Sequence, residues 1–329
     1  MFSAFNQHCT ATAPGSEKTC TMMAKTAPYP PCTGTVIWLA YRRVPGLLPD
    51  AASSNAYYHN RRAVRLHTKI HYTMDQSINF DLVADLYDSY VTVNLDIPFF
   101  LDETSNYDDE ILELMCGTGR VSIPLLESGR KLCCVDYSEK MLQAFKNKIQ
   151  GKDFPVRLLK MDVTNLDLNK KFRLIILPFH SFSEILSTDL QFKALQCISK
   201  HLKPNGVFIC TLQNPFTRLK TADGLTRRLG EFNLNDNRKM VVSYSNLYNP
   251  DNGIVSGFQL YEIFDNSQSL IEKRTLQINF RPVTDIEFKR LIAPLDLEII
   301  DTYGDYFKEK FNDQTSNFLI YKLKISTKA

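Results

Sequence analysis

The chain has 329 residues, 44% apolar and 23% charged, the balance of an ordinary globular protein and not of a disordered or fibrous one. Its net charge of +3 is uneven: residues 1–73 hold eight Lys/Arg against two acids, so 31 of the 39 bases and 34 of the 36 acids fall in residues 74–329, a net of about −3 there. That acidic balance offers no basic groove to a phosphate backbone, and no run approaches the ~20 apolar residues of a membrane span.

Residues 1–73 are rich in Ser, Thr, Ala and Arg and poor in acids. That is the composition of an organelle import segment, although the interspersed prolines and cysteines make a poor amphipathic helix. The other reading is a disordered or non-native extension ahead of Met74. Either way the expected domain is 74–329. Eight cysteines without a CxxC pair give no zinc spacing, so no metal is expected. Cys133 and Cys134, adjacent in an apolar run, read as buried thiols, which suits a reducing, cytoplasmic setting.

Strand and helix patterns alternate after Asp75. Residues 110–115 (EILELM) read as a buried strand, followed by a Gly turn and a helix ended by Gly129. Residues 131–136 (KLCCVD) form a second strand, and Ser138 caps a helix whose Met141, Leu142, Phe145 and Ile149 share one face. Residues 156–162 and 173–179 are the third and fourth strands. Thr188 and Gln191 form a capping-box pattern before a helix broken at Pro204-Asn205-Gly206, and 206–213 is the fifth strand. Apolar strands alternating with helices predict a doubly wound, mostly parallel α/β sheet covered on both faces.

After Pro215 the pattern changes. Runs at 239–248, 254–264 and 270–282, separated by Asn/Asp/Gly turns, predict an antiparallel β-meander inserted at 216–282. Thr284 with Glu287 opens a further helix, and 297–304 and 317–325 complete a seven-stranded sheet.

A Gly-rich turn after a first strand is a ligand loop in doubly wound folds. Here it is Glu113-Leu114-Met115-Cys116-Gly117-Thr118-Gly119-Arg120. Ser122 stands where a dinucleotide fingerprint has its third small residue, and Glu113 would repel a pyrophosphate. A cationic ligand would be attracted. The segments ELMCGTGRVSIPLLESG, VDYSEKML and LKMDV together resemble class I S-adenosylmethionine-dependent methyltransferases of the methyltransferase-domain-25-like, small-molecule kind. The likeness runs from about Phe80 to Lys324, strongest over 111–215; Met115 stands where that family usually has Gly.

The resemblance implies a Rossmann-like methyltransferase fold binding S-adenosyl-L-methionine. It places Glu113, Met115, Gly117 and Gly119 around the methionine moiety. Asp136 would hold the ribose hydroxyls, with Tyr137 beside it. Met141 would lie on the adenine, Asp162 and Val163 on the adenine edge, and Leu177 with Pro178 near the sulfonium. Tyr87, in Tyr87-Asp88-Ser89-Tyr90, resembles a lid residue. Taken singly, Asp136 reads equally as a helix cap, Asp162 as a strand-end turn, and Met141 and Tyr87 as packing.

Transfer from a sulfonium needs mainly proximity and orientation. A base matters where the acceptor is protonated. His180 and Glu184, just after the fourth strand, are the candidate bases. The expected activity is methyl transfer to an O, N or C atom of a small molecule by a monomer or homodimer, with neither nucleic acid nor membrane as partner. An RNA or protein methyltransferase and a non-catalytic S-adenosylmethionine-binding scaffold are the alternatives. Asn214-Pro215-Phe216 resembles the NPP[FY] signature of base-directed amino-methyltransferases, but it follows the fifth strand and lacks the second proline.

Overall fold

The structure is a computed structural model that describes residues 77–234 and 237–325; the N-terminal extension and Met74 lie outside the described residues. Two short helices open the described chain, α1 (Tyr87–Tyr90) and α2 (Ile97–Thr104). The first α/β half is β1 (Ile111–Leu114), α3 (Ser122–Glu127), β2 (Leu132–Asp136), α4 (Glu139–Lys148) and β3 (Val156–Lys160). The second is β4 (Phe172–Leu177), α5 (Thr188–His201) and β5 (Leu202–Gln213). α6 (Pro215–Arg218) leads into β6 (Arg227–Asn233), β7 (Lys239–Asn249), β8 (Ile254–Phe264) and β9 (Leu270–Phe280). α7 (Asp285–Ile292), β10 (Leu297–Tyr303) and β11 (Phe318–Ile325) return the chain to the main sheet.

The main sheet has the order β10-β11-β5-β4-β1-β2-β3. Pairings among β1–β5 are parallel, while β11 runs antiparallel to both β5 and β10. Strand order reverses between β1 and β4, and the crevice beyond their carboxyl ends is where doubly wound sheets bind ligands. The predicted fold class stands. β1 is buried at every position because both faces are covered. Leu112, Leu114, Ile175 and Leu177 pack toward α5 and α7. Ile111, Leu174, Ile176 and Phe145 pack toward α2, α3 and α4.

Three details differ from the sequence reading. The inserted sheet has four strands, in the order β6-β7-β8-β9, because Arg227–Asn233 adds an edge strand to the three expected. The capping box expected of Thr188 and Gln191 is absent: Ser187 caps α5, accepting from Leu190 N at 3.4 Å, and Gln191 Nε2 donates to Ile185 O at 2.8 Å. β5 begins at Leu202, earlier than expected, directly after α5. The Thr284–Glu287 capping box is present.

The inserted sheet packs on the segment before the main sheet. Val83, Leu86 and Tyr90 share a core with Met240, Val242, Tyr261, Ile263 and Leu276. Charged contacts reinforce this, Arg274 donating to Asp85 Oδ1 at 2.6 Å and to Leu82 O at 3.2 Å. At its other end β9 meets the 3-10 turn Ser181–Glu184, where Arg281 N donates to Ser183 O at 2.7 Å. The insert is thereby anchored both on the segment before the main sheet and on the turn after β4.

Candidate functional site

The loop after β1 turns sharply because Met115, Gly117 and Gly119 all take positive φ, 55°, 56° and 82°. For Met115 this is a left-handed conformation that side chains disfavour, a small strain held at the sheet edge. The glycines serve different ends. A Cβ on Gly119 would lie 2.6 Å from the Phe145 ring, so its bareness lets α4 approach the loop. A Cβ on Gly117 would meet only Met141 Cε, at 3.9 Å, leaving room over the loop.

Glu113 points inward beneath the loop, 1% exposed, and accepts from Ser122 Oγ at 2.7 Å. Burial pushes its carboxyl up to about 8, the charges of Asp96 and Asp136 adding to the effect and Ser122 and Arg120 opposing it. Asp136, ending β2, accepts from Gly117 N at 2.7 Å on Oδ2 and from Ser138 N at 2.8 Å on Oδ1. Burial raises its carboxyl too, and the backbone donors hold it back. Each carboxylate oxygen has a further lone pair. The cap of α4 is Ser138, whose Oγ accepts from Met141 N at 3.1 Å, so Asp136 is not the helix cap but braces the Gly loop against the turn before α4.

Asp162 follows β3 and accepts on Oδ1 from Thr164 N and Thr164 Oγ1, both at 2.8 Å. Val163 is buried beside it, and Met141 is buried under the loop. Tyr137 is 67% exposed at the rim, whereas Leu177 is wholly enclosed in the core, so only its backbone faces the edge. The carboxyl-end residues of β1, β2 and β3 therefore line one edge of the sheet.

After β4 the backbone is strained again. Phe179 and His180 are consecutive non-glycine residues at φ 57° and 64°. The His180 ring stacks on Phe318 at 5.3 Å, and its Nδ1 is buried without a hydrogen bond among the described residues. Burial, then the cations Arg120 and Arg218, push its pKa down to about 3, so it stays neutral at working pH. Glu184 lies four residues on. Burial, with the Asp136 charge adding, pushes its carboxyl up to about 8. No described residue donates a hydrogen bond to it, and its charge reaches Tyr87 and Tyr90 on α1.

Three ties that the sequence reading did not find hold these pieces together. Arg120, next after the Gly loop, donates from Nη1 and Nη2 to the two oxygens of Asp96, both at 2.6 Å, and from Nη1 to Val93 O at 2.8 Å. Its guanidinium also stacks over Phe179 at 4.1 Å. Thr118 Oγ1 donates to Asp88 Oδ1 at 2.6 Å, and Lys148 pairs with the other oxygen at 2.8 Å. Asp81 accepts from Ser138 Oγ and Lys140 N at the start of α4. Asn214, of the tripeptide noted above, is structural, its Nδ2 donating to Asp313 O and Ser316 O at 2.8 Å each.

Comparison with known proteins gives a consistent picture. Residues 111–206 match the family model described as a methyltransferase domain. The chain is 28% identical over 217 residues to a glycine/sarcosine N-methyltransferase of Aphanothece halophytica, covering 65% of this chain and 75% of that protein. In fold it is similar to an S-adenosylmethionine-dependent methyltransferase from Clostridium acetobutylicum, with a TM-score of 0.63 and 23% identity over 75% of this chain and 99% of the other. It is also similar to the CcbJ methyltransferase of Streptomyces caelestis, with a TM-score of 0.65 and 20% identity over 76% and 99%.

Proposed function

We propose that this chain, a class I S-adenosylmethionine-dependent methyltransferase, transfers the methyl group to the nitrogen of a small-molecule amine, with Glu184 receiving the proton that the amine gives up. The single observation carrying the amine reading is the Glu184 carboxyl in the turn after β4, which has no hydrogen-bond donor among the described residues and whose charge reaches Tyr87 and Tyr90. A carboxylate in such surroundings is best satisfied by a cation, and an ammonium supplies both the charge and the N–H donors.

The residues at the sheet edge fit S-adenosylmethionine. The space over Gly117 admits a ligand backbone-close, and Glu113 and Asp136 are acids whose charged forms a sulfonium and an ammonium would stabilise. We assign Glu113, Met115, Gly117 and Gly119 to the methionine side, Asp136 and Tyr137 to the ribose, and Met141, Asp162 and Val163 to the adenine. Leu177 contributes backbone near the sulfonium. When bound, S-adenosylmethionine supplies a methyl group on a positively charged sulfur, open to in-line attack.

The protein's own part is positioning and proton handling. Tyr87 and Tyr90 close the acceptor side, and the Arg120–Phe179 stack fixes the turn that faces it. An amine reaches nucleophilic form only after losing a proton, and a carboxylate with a pKa of about 8 is matched to that task. His180 is the other candidate base. Its neutral ring accepts protons poorly at a pKa of about 3, which favours Glu184.

The N-methyl assignment is in keeping with the relative from Aphanothece halophytica, a glycine/sarcosine N-methyltransferase by name. We further place the enzyme in a reducing, cytoplasmic setting, as a monomer or homodimer without nucleic-acid or membrane partners. The acidic balance of 74–329 and the free thiols of Cys116, Cys133, Cys134, Cys197 and Cys210 support this. Incubation with methyl-labelled S-adenosylmethionine and a metabolite extract, followed by mass identification of products, tests the reading. Labelled N-methyl products support it; labelled products modified only at oxygen or carbon overturn it.

A further inference from the structure

A cleft opens between the turn after β3 and the second half of α5. It measures about 630 Å³, within the size range of small-molecule sites. Its walls carry four lysines, Lys170, Lys171, Lys193 and Lys200, against one acid, Asp167. That is a local excess of positive charge in a domain, 74–329, whose overall balance is acidic. Lys170 is neutralised by Glu110 at 2.6 Å. The ammonium groups of Lys171, Lys193 and Lys200 have no ion-pair or hydrogen-bond partner among the described residues.

The helix supplies a regular row. Lys193, Gln196, Cys197 and Lys200 stand at i, i+3, i+4 and i+7, on one face of α5. The turn across from them is tied down. Cys197 Sγ donates to Thr164 O at 3.6 Å, and His201 Nε2 accepts from Leu168 N at 3.1 Å. With Nε2 accepting, His201 Nδ1 is the donor to Cys197 O at 2.7 Å. His201 is thus spent on the scaffold, and the charge of the cleft belongs to its lysines. The side-chain amides of Asn165, Asn169 and Gln196 line the same space without hydrogen bonds among the described residues, and each offers two N–H donors. The carbonyl end of α5 opposes an anion, and Lys200 in its last turn offsets that effect.

Separate cations around free amide donors suit a ligand with several anionic oxygens, on which lysine acts as a point charge. We propose that this cleft binds a small polyphosphate anion, either free polyphosphate or the phosphate tail of a nucleotide, at a site separate from that of methyl transfer. Lys171 approaches from the residue before β4, and Lys193 with Lys200 from α5, so the phosphates bridge two elements of the second α/β half. The site lies at the amino end of β4, whereas His180 and Glu184 follow its carboxyl end. The turn that forms one wall begins at Asp162, whose Oδ1 accepts from Thr164 N and Thr164 Oγ1. Competition with the cofactor is therefore part of the test. The charge of the cleft is the same whatever atom accepts the methyl group.

Calorimetric titration of sodium tripolyphosphate, ATP and adenosine into the full chain at about 0.15 M salt tests this, with and without saturating S-adenosylmethionine. The cleft variant is Lys171→Gln with Lys193→Gln and Lys200→Gln. Its control, with the same change in net charge at exposed positions outside the cleft, is Lys131→Gln with Lys146→Gln and Lys310→Gln. Thermal melts show that both variants are folded. One charge pair at contact distance in water is worth about a factor of five, so the cleft variant should bind about a hundredfold more weakly, with the control within about twofold of wild type. The expected result is saturable binding of tripolyphosphate and ATP but not adenosine, unchanged by S-adenosylmethionine. Comparable affinities for the two identify free polyphosphate as sufficient, and tighter ATP binding identifies the nucleotide. No saturable binding to the wild type, equal weakening in both variants, or displacement by S-adenosylmethionine overturns the inference.

Discussion

Thr118 in the Gly-rich loop donates its hydroxyl to Asp88 of α1 at 2.6 Å. One side of that bond belongs to the Gly-rich loop and the other to the helix that carries Tyr87 and Tyr90. The same aspartate pairs with Lys148 of α4 at 2.8 Å. α1 is four residues long and has no side-chain cap, so its position depends on such ties and on packing against the inserted sheet. The Gly-rich loop, α1 and α4 are thus coupled through one carboxylate.

Asp88→Ala should therefore weaken S-adenosylmethionine binding by roughly tenfold, in keeping with the loss of one charge-assisted hydrogen bond, while changing the melting temperature little. Titration calorimetry and thermal melts on the same preparation check this. A large fall in melting temperature with unchanged affinity would assign Asp88 to folding alone.

Arg120 gives the opposite expectation. Its pairing with Asp96 is bidentate and almost fully buried on the Asp96 side, so Arg120→Ala leaves an uncompensated carboxylate. Removing one partner of a buried pair costs on the order of 3–5 kcal/mol. Chemical denaturation should show a loss of that size. A loss under about 1 kcal/mol would place the pair among surface contacts of little weight.

As the proposed base, Glu184 would set the pH dependence. A base must be deprotonated to act, and its carboxyl sits at about 8. The kcat/KM for the amine should rise about tenfold per pH unit up to that value and then level, apart from the amine's own titration. Glu184→Gln should abolish this limb and lower turnover by roughly two orders of magnitude, with cofactor affinity retained. His180→Asn should leave the limb in place, since the His180 ring is already neutral across the range.

Glu113 makes a prediction about stability. Its folded-state carboxyl lies at about 8 against an ordinary value of 4.5, so between those values the unfolded chain binds fewer protons than the folded one. Stability of the cofactor-free protein should fall as pH rises from about 4.5 to 8 and then flatten. Glu113→Gln should remove part of that fall, raising the melting temperature at pH 8 by a few degrees, and at the same time weaken cofactor binding. Melts at pH 5 and pH 8 check the sign.

Much of this was legible in the sequence, for physical reasons. β1 to β5 are near-continuous apolar runs bounded by turn residues, and the order of Glu113, Asp136 and Asp162 follows strand ends along one edge. β6 escaped notice because Arg227–Asn233 mixes Arg, Gly, Glu and Asn on an edge, where one side needs no apolar pattern. Ser187 and Thr188 are adjacent capping residues, and the bond from Leu190 N to Ser187 Oγ, with Gln191 turned to Ile185 O, decides between them. Arg120–Asp96, Thr118–Asp88 and Tyr90–Tyr261 join residues 24, 30 and 171 apart; no local periodicity encodes such pairs. Met115 was visible as a departure from the loop of the family that the sequence resembles, but its left-handed backbone was not.

The proposed holding of a positively charged methyl donor by acids at the sheet edge is tested most directly at Asp136. Calorimetric titration of S-adenosylmethionine into the wild type and Asp136→Ala should show affinity weaker by more than about tenfold in the variant, or 1.4 kcal/mol. Equal affinity in the two proteins would contradict it.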